Sequence, residues 1–435
     1  MEKKDLPKVL AISLSTWKKD SGIHTQTDLF QFWDPDRVAQ IYTKSDLPDT
    51  PVCNTFFQIS ENAVLHSVLN RKPVGRRVQN GGARDEKAEA AEAALYTKAH
   101  KKKSWLMTIL REIVWSLGRW KTKALDEFVR DVNADVYFIP IYPVIYTAKI
   151  QRYIIKKFPK PYVCYLADDN YSYKPCGKNP LALLHRFFLR KSVKKLAKNC
   201  TEMFTITKTE ARETDKLFGT HSVVLTKGID YSNLQFVEPQ PQTPVRMVYT
   251  GNLLIGRGSS LAAISKALAN INRNGPKITL DIYSPTELDP KTMKLLNSNG
   301  CTFHPPVPRQ EVEAIQQNAD VVVFVESLEK AHRYAARLSF STKLTDYFKS
   351  GKCIFAIGDA TIAPVEYLRE NDAAIIANEY SEIEDRLLEL AQNPDLIREY
   401  GKKAFECGRK NHSKELVKQR LIETISRAAG KKTPV

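Results

Sequence analysis

Residues 237–270 read VEPQPQTPVRMVYTGNLLIGRGSSLAAISKALAN, and they decide how the chain is organised. Three of the first eight residues are proline and only Val237 among them is aliphatic, a linker composition. Residues 246–250 then form a short run suited to a strand, 251–258 a glycine-bearing loop, and 261–270 a helix. Downstream, 278–283, 321–325 and 353–357 repeat the strand, each followed by a loop and a helix. Upstream the same opening occurs once before. An apolar run over 9–14 ends in Ser15 and Thr16, Ser21-Gly22-Ile23 makes a turn, and a helical pattern begins near Thr25. Further strands are expected at 37–42, 136–141, 162–166 and 203–206. Strands alternating with helices predict parallel, doubly wound sheets. The fold class is therefore α/β with two Rossmann-like domains, over 1–240 and 245–408, and a basic helix with a frayed tail over 409–435. Two such domains facing a cleft would bind ligands beyond the C-terminal ends of the strands.

A chain of 435 residues exceeds a single ordinary core. With 43% apolar and 26% charged residues it reads as a globular protein. It holds no eighteen-residue apolar stretch, and MEKKDLPKVLAISLS lacks the features of a signal peptide, so a cytoplasmic location is expected. Seven cysteines are scattered singly, which predicts buried free thiols. The net charge of +17 calls for an acidic partner. About half of the excess lies in 71–123, where 14 Lys or Arg face 5 Asp or Glu. There Leu106, Ile109, Leu110, Ile113, Val114 and Leu117 recur at helical spacing. Trp105, Trp115 and Trp120 lie among them, with Lys101, Lys102 and Lys103 at one end. Aromatic flanks and basic ends on an amphipathic helix suit an anionic membrane surface. A second basic stretch over 186–198 extends that surface. The competing reading is an apolar stripe packed on the sheet beneath solvated charges.

Four passages resemble the family 4 retaining glycosyltransferases, especially those of bacterial polysaccharide assembly. They are SGIHTQTDLFQFWDPDRVAQIYT (21–43), YVCYLADDNYSY (162–173), VYTGNLLIGRGSSL (248–261) and FSTKLTDYFKSGKCIFA (340–356). The resemblance covers nearly the whole chain and implies the GT-B fold, with a nucleotide-sugar donor held by the C-terminal domain. A diphosphate leaving group needs loop N–H groups and fixed cations. Gly251, Arg257 and Gly258 match the phosphate loop, with Arg257 where the family carries Lys and Asn252 where it carries Arg. Lys343, Arg333 and Arg337 are candidates for the missing cation. Ser341, Thr342, Lys343 and Leu344 open the nucleotide helix. Asp346 stands at the second glutamate of the family's Glu-x7-Glu motif, to accept the ribose hydroxyls. Leu338 stands at the first, and Glu326 and Glu329 lie just upstream. Pro306 and Val307 match the loop that packs on the nucleobase.

In the first domain, Gly22 and His24 follow the first strand, where the resemblance brings a loop to the sugar and diphosphate. Asp168 and Asp169 follow an apolar strand and would bind sugar hydroxyls or orient the acceptor, although neighbours on an extended chain point opposite ways. Asp34-Pro35-Asp36 has the spacing of a metal-binding Asp-x-Asp but sits in turn chemistry. No metal and no cofactor is therefore expected. The implied activity is hexosyl transfer from a nucleotide-sugar, UDP foremost, to a glycan or lipid-linked acceptor at the inner face of the cell membrane. The alternatives are a non-catalytic GT-B partner subunit, a nucleotide-sugar epimerase, or a nucleic-acid-binding protein, the last without any recognition motif.

Overall fold

The computed structural model describes residues 3–18, 25–82, 105–332 and 334–431. They form two compact units, 1–226 with 417–435, and 227–416.

The first unit is built on strands β1 (Val9–Ile12), β2 (Val38–Tyr42), β3 (Thr55–Gln58), β4 (Arg76–Val78), β5 (Val136–Pro140), β6 (Tyr162–Leu166), β7 (Glu202–Thr205) and β8 (Ser222–Val224). They run in the order β4-β3-β2-β1-β5-β6-β7-β8, parallel except for β4. β1, β2, β5 and β6 are buried along their whole length, as strands covered on both faces must be, and their sequences are correspondingly apolar. The helices are α1 (Thr25–Phe30), α2 (Glu61–Asn70), α3 (Trp105–Leu117), α4 (Lys123–Val132), α5 (Ile145–Lys157), α6 (Pro180–Ala197) and α7 (Lys208–Phe218). The start of α7 shows how they are set. Thr207 Oγ1 accepts the N–H of Glu210, and Glu210 Oε2 accepts the N–H of Ile206, both at 3.1 Å. Strand order reverses between β1 and β5. Across that point Gln151 on α5 donates to Ile12 O at 2.9 Å and Pro140 O at 2.8 Å.

The second unit carries β9 (Val245–Thr250), β10 (Ile278–Tyr283), β11 (Cys301–His304), β12 (Val321–Val325), β13 (Cys353–Ile357) and β14 (Ile375–Ala377). All are parallel, in the order β11-β10-β9-β12-β13-β14. Its helices are α8 (Arg257–Ile271), α9 (Pro290–Leu296), α10 (Arg309–Gln317), α11 (Thr342–Ser350), α12 (Ala363–Glu370), α13 (Ile383–Gln392) and α14 (Pro394–His412). The order reverses between β9 and β12, which fixes the switch point of this sheet.

The unit boundaries differ from those expected. Residues of the 237–244 stretch are tied to the second unit, where the Gln242 N–H donates to Asp320 Oδ2 at 3.3 Å. The last helix, α15 (Lys414–Ala428), is no detached tail. From Val417 onward it belongs to the first unit, whose core takes in Val417, Leu421 and Ile425. Arg427 binds Glu202 there at 2.5 and 3.1 Å. The cause is visible in the spacing: three aliphatics at i, i+4 and i+8 need a core.

The structure corrects two of the membrane residues. Trp115 is fully buried and stacks on Tyr146 at 4.2 Å and 6°. Trp120 is buried against Tyr153, with its indole N–H on Trp115 O at 3.0 Å. Trp115 faces protein on the covered side of α3, and Trp120, in the connection after α3, packs on α5. Trp105 is half-buried near His185. Lys101, Lys102 and Lys103 lie outside the described residues. The face α3 leaves exposed is aliphatic instead: Leu106, Leu110, Ile113 and Leu117. Asp34 caps a turn, accepting the Asp36 N–H at 3.0 Å.

Candidate functional site

The loops after β9 and β12 meet at the switch point of the second unit. Gly251 follows β9 with φ 147° and donates its N–H to Tyr283 O at 2.9 Å. A Cβ on Gly251 would lie 2.0 Å from Lys343 Nζ and 2.6 Å from its Cε, so only glycine admits the lysine. Lys343 reaches this place from the first turn of α11. Its ammonium sits 4.5 Å from the centre of the Tyr249 ring and donates to the Tyr249 hydroxyl at 3.2 Å. Burial, helped by the charge of Arg257 and opposed by Glu326, lowers its pKa from 10.5 to about 8. The Tyr249 hydroxyl donates in turn to Asn252 O at 2.6 Å, and burial holds that phenol well above its ordinary pKa.

Gly256 caps α8 at φ 76°, and a Cβ there would meet Ser327 Oγ at 2.3 Å. This close approach places Arg257 against Glu326, the residue after β12. Arg257 Nη2 donates to Glu326 Oε1 at 2.9 Å and Oε2 at 3.0 Å, and Nε to Oε2 at 3.2 Å. Nη1 donates to Asn252 Oδ1 at 3.0 Å. Burial works to lower the Arg257 pKa, but the Glu326 charge and hydrogen bonds outweigh it and raise it. Glu326 is 5% exposed, and its main chain is fixed by Ile357 O and Ser260 Oγ at 2.8 and 3.1 Å. Two cations therefore stand at one sheet end, one neutralised by a buried carboxylate and one resting on an aromatic face. Two cations beside the N-terminus of α11 have the chemistry that phosphate oxygens require.

Around this centre, Ser341 caps α11 by position without a side-chain hydrogen bond. Thr342 is its first residue, and its carbonyl accepts the Thr345 hydroxyl at 2.6 Å. Leu344 is fully buried and its N–H is taken by Ser341 O at 3.0 Å, so its side chain packs the helix down. Gly258 lies inside α8 in ordinary helical conformation, and the close approach at the start of this helix is at Gly256. Asp346 is half-buried, which raises its pKa, while Lys227, Arg309 and Lys349 act in the opposite sense. No hydrogen bond from the described residues occupies its carboxylate. Pro306 is exposed and Val307 half-buried in the loop beyond β11.

No protein-family model matches the sequence, and no curated protein matches it. Solved structures do match. HepE of Anabaena, crystallised in complex with UDP, aligns with a TM-score of 0.62 over 97% of this chain and 100% of that one at 12% identity. An α,α-trehalose 6-phosphate synthase from Burkholderia multivorans aligns at 0.57 over 97% and 98%, with 9% identity. A glycosyltransferase from Rickettsia africae aligns at 0.57 over 98% and 100%, again with 9% identity. The fold is GT-B. That is the architecture the four sequence passages implied.

The N-terminal GT-B domain treats its two candidate acids differently. Asp168 is exposed, and its carbonyl accepts the Asn170 N–H at 2.7 Å. Asp169 is turned inward, where Oδ1 accepts the Ser172 N–H at 2.8 Å, Oδ2 accepts the Ser172 hydroxyl, and Arg186 donates to its carbonyl at 3.0 Å. Asp169 thus shapes the loop after β6. Gly22 and His24 lie outside the described residues, as does Arg333, while Arg337 is buried. Sequence reasoning missed Tyr249 and Gly256 and left Glu326 without a partner. A carboxylate directly after the apolar run VVVFV was the available signal for Glu326. Tyr249 reads as a core aromatic until Lys343 is placed on its ring.

Proposed function

We propose that this chain is a retaining glycosyltransferase that moves a hexose from a nucleotide-sugar, a UDP-sugar foremost, to a glycan or lipid-linked acceptor at the inner face of an anionic membrane during surface polysaccharide synthesis. The observation that carries this reading is the pairing of Arg257 and Lys343 over Gly251 at the switch point. Cleavage of the donor bond leaves negative charge on the diphosphate oxygen. A preorganised guanidinium and ammonium stabilise that charge without reorganising water. Asp346, with no hydrogen bond from the described residues, is the acceptor for ribose hydroxyls, and Pro306 and Val307 offer a flat apolar edge to the base. Asp168 is the exposed carboxylate on the acceptor side. Retention needs no strong enzymic base, which agrees with Asp169 being held in its turn by Ser172. The complex of HepE with UDP supports the choice of nucleotide.

Thermal melting with UDP, GDP and CMP, repeated on Asp346→Ala, tests the donor part. One nucleoside diphosphate should raise the melting temperature of the parent chain, and the variant should lose the shift. Absence of a shift with all three nucleotides refutes the reading.

A further inference from the structure

The first unit contains a trough of about 1570 Å³ between the α3–α4 connection, the outer face of α5 and the C-terminal end of α6. Tyr162, the first residue of β6, lines it, so it opens towards the strand N-terminal ends. The loops that follow the strands, where a GT-B acceptor is handled, lie at the other end of the same sheet. Eight Lys and Arg line the trough and no Asp or Glu does. Lys157 is paired with Asp126 at 2.6 Å and Lys123 with Glu127 at 3.7 Å. Arg119, Lys121, Arg152, Lys156 and Lys195 have no carboxylate partner among the described residues. A concave surface crowded with uncompensated cations focuses a positive field and concentrates anions.

A second cavity, of about 410 Å³, shares Ser116, Lys149, Arg152 and Lys195 with the trough and is otherwise mainly apolar. Ile109 and Ile113 of α3, Ile145 of α5, and Leu184 and Phe188 of α6 form its walls. Ile113, Leu184 and Phe188 are each about half exposed, at 47%, 50% and 48%. Glu112, 8% exposed, accepts the Ile145 N–H at 2.7 Å through Oε1, and its Oε2 has no hydrogen-bond partner among the described residues.

We propose that slot and trough together bind one phosphate-bearing amphiphile, its alkyl or isoprenyl chain between α3 and α6 and its phosphate or diphosphate head among Arg152, Lys156 and Lys195. A nucleic acid would use the cations but not the slot, and free phosphate would use neither the slot nor its exposed rim. The inference rests on the membrane part of the proposed function and is separate from its donor part, which lies in the other unit.

The test is calorimetric titration of the full chain at low salt with farnesyl diphosphate, inorganic diphosphate, farnesol, short-chain phosphatidylglycerol below its micelle concentration, and duplex DNA. A triple variant, Arg152→Ala with Lys156→Ala and Lys195→Ala, is titrated beside it. These side chains are exposed, so the fold should be kept, which an unchanged melting temperature checks. Farnesyl diphosphate should bind at least about tenfold tighter than inorganic diphosphate or farnesol, and the triple variant should lose at least about tenfold. Phosphatidylglycerol binding as tightly as farnesyl diphosphate assigns the site to a bilayer lipid; weaker binding assigns it to an isoprenoid-linked head. Inorganic diphosphate or DNA matching the amphiphile, or an unaffected triple variant, overturns the inference. Loss of the UDP melting shift with amphiphile binding intact would sink the donor reading and leave this one standing.

Discussion

Under the proposed function, Lys343 makes donor binding depend on pH in a calculable way. Its pKa is lowered from 10.5 to about 8, chiefly by burial and then by Arg257. Between those values the folded chain has released a proton that the unfolded chain still holds. Stability from this group therefore rises as pH climbs from about 8 to about 10.5, and the full cost of burying the ammonium is present below that window. A diphosphate reverses the preference, because it stabilises the charged form. If the bound lysine regains its ordinary pKa, linkage weakens UDP binding about twentyfold between about pH 7.5 and about pH 9.5. At about pH 9, binding should take up about 0.9 proton. Calorimetry in two buffers of different ionisation enthalpy reads both quantities. Lys343→Met should bind more weakly at neutral pH and lose the dependence. A flat profile in the parent chain, or the same slope in Lys343→Met, would show that the lysine does not meet the phosphates.

Glu326→Gln removes the buried partner of Arg257 and should cost about 3–5 kcal/mol of stability. UDP should restore more of the melting temperature in this variant than it adds to the parent chain, and an equal or smaller shift argues against a shared anion site. Gly251→Ala puts a Cβ where Lys343 Nζ lies, at a φ that disfavours any side chain. It should lower stability by about 1–3 kcal/mol and displace the lysine, so its UDP affinity should no longer fall above pH 8. Trp115→Ala, inside the first core, should cost about 3–5 kcal/mol by chemical denaturation. Ile113→Ser, on the exposed face, should stay within about 0.5 kcal/mol yet reduce pelleting with anionic vesicles.

Most of the parallel architecture was legible because the buried strands are short apolar runs between turn residues. Residues 162–166, 278–283, 321–325 and 353–357 coincide with β6, β10, β12 and β13. β3, β4, β8, β11 and β14 were not legible. They hold three or four residues each, β4, β8, β11 and β14 at or next to a sheet edge, and a three-residue run carries too little alternation to be told from a loop. At the candidate site, Gly251, Arg257 and Lys343 were marked by the resemblance carried by residues 248–261 and 340–356. The Arg257–Glu326 pair was not, because 69 residues separate its members and only the parallel pairing of β9 with β12 brings them together. Trp115 and Trp120 misled for a different reason. Aromatic and basic residues at helical spacing describe an interfacial helix and a helix docked by its aromatics equally well, and only burial separates them.

The path of α15 has a practical consequence. Asp135 Oδ2 accepts the Lys8 N–H at 2.8 Å and also holds Lys431 Nζ at 2.9 Å, so the residue before the first strand and one just past the last helix share one carboxylate oxygen. The first unit can therefore be rewired as one continuous polypeptide. A circular permutant would start at Val417, run to Lys431, join residue 3 through a short glycine linker and finish at Thr226. It would keep Leu421 and Ile425 in their core, whereas a plain truncation at Thr226 would leave that core open to water. Such a permutant would present the cationic trough on a minimal scaffold, free of the second unit.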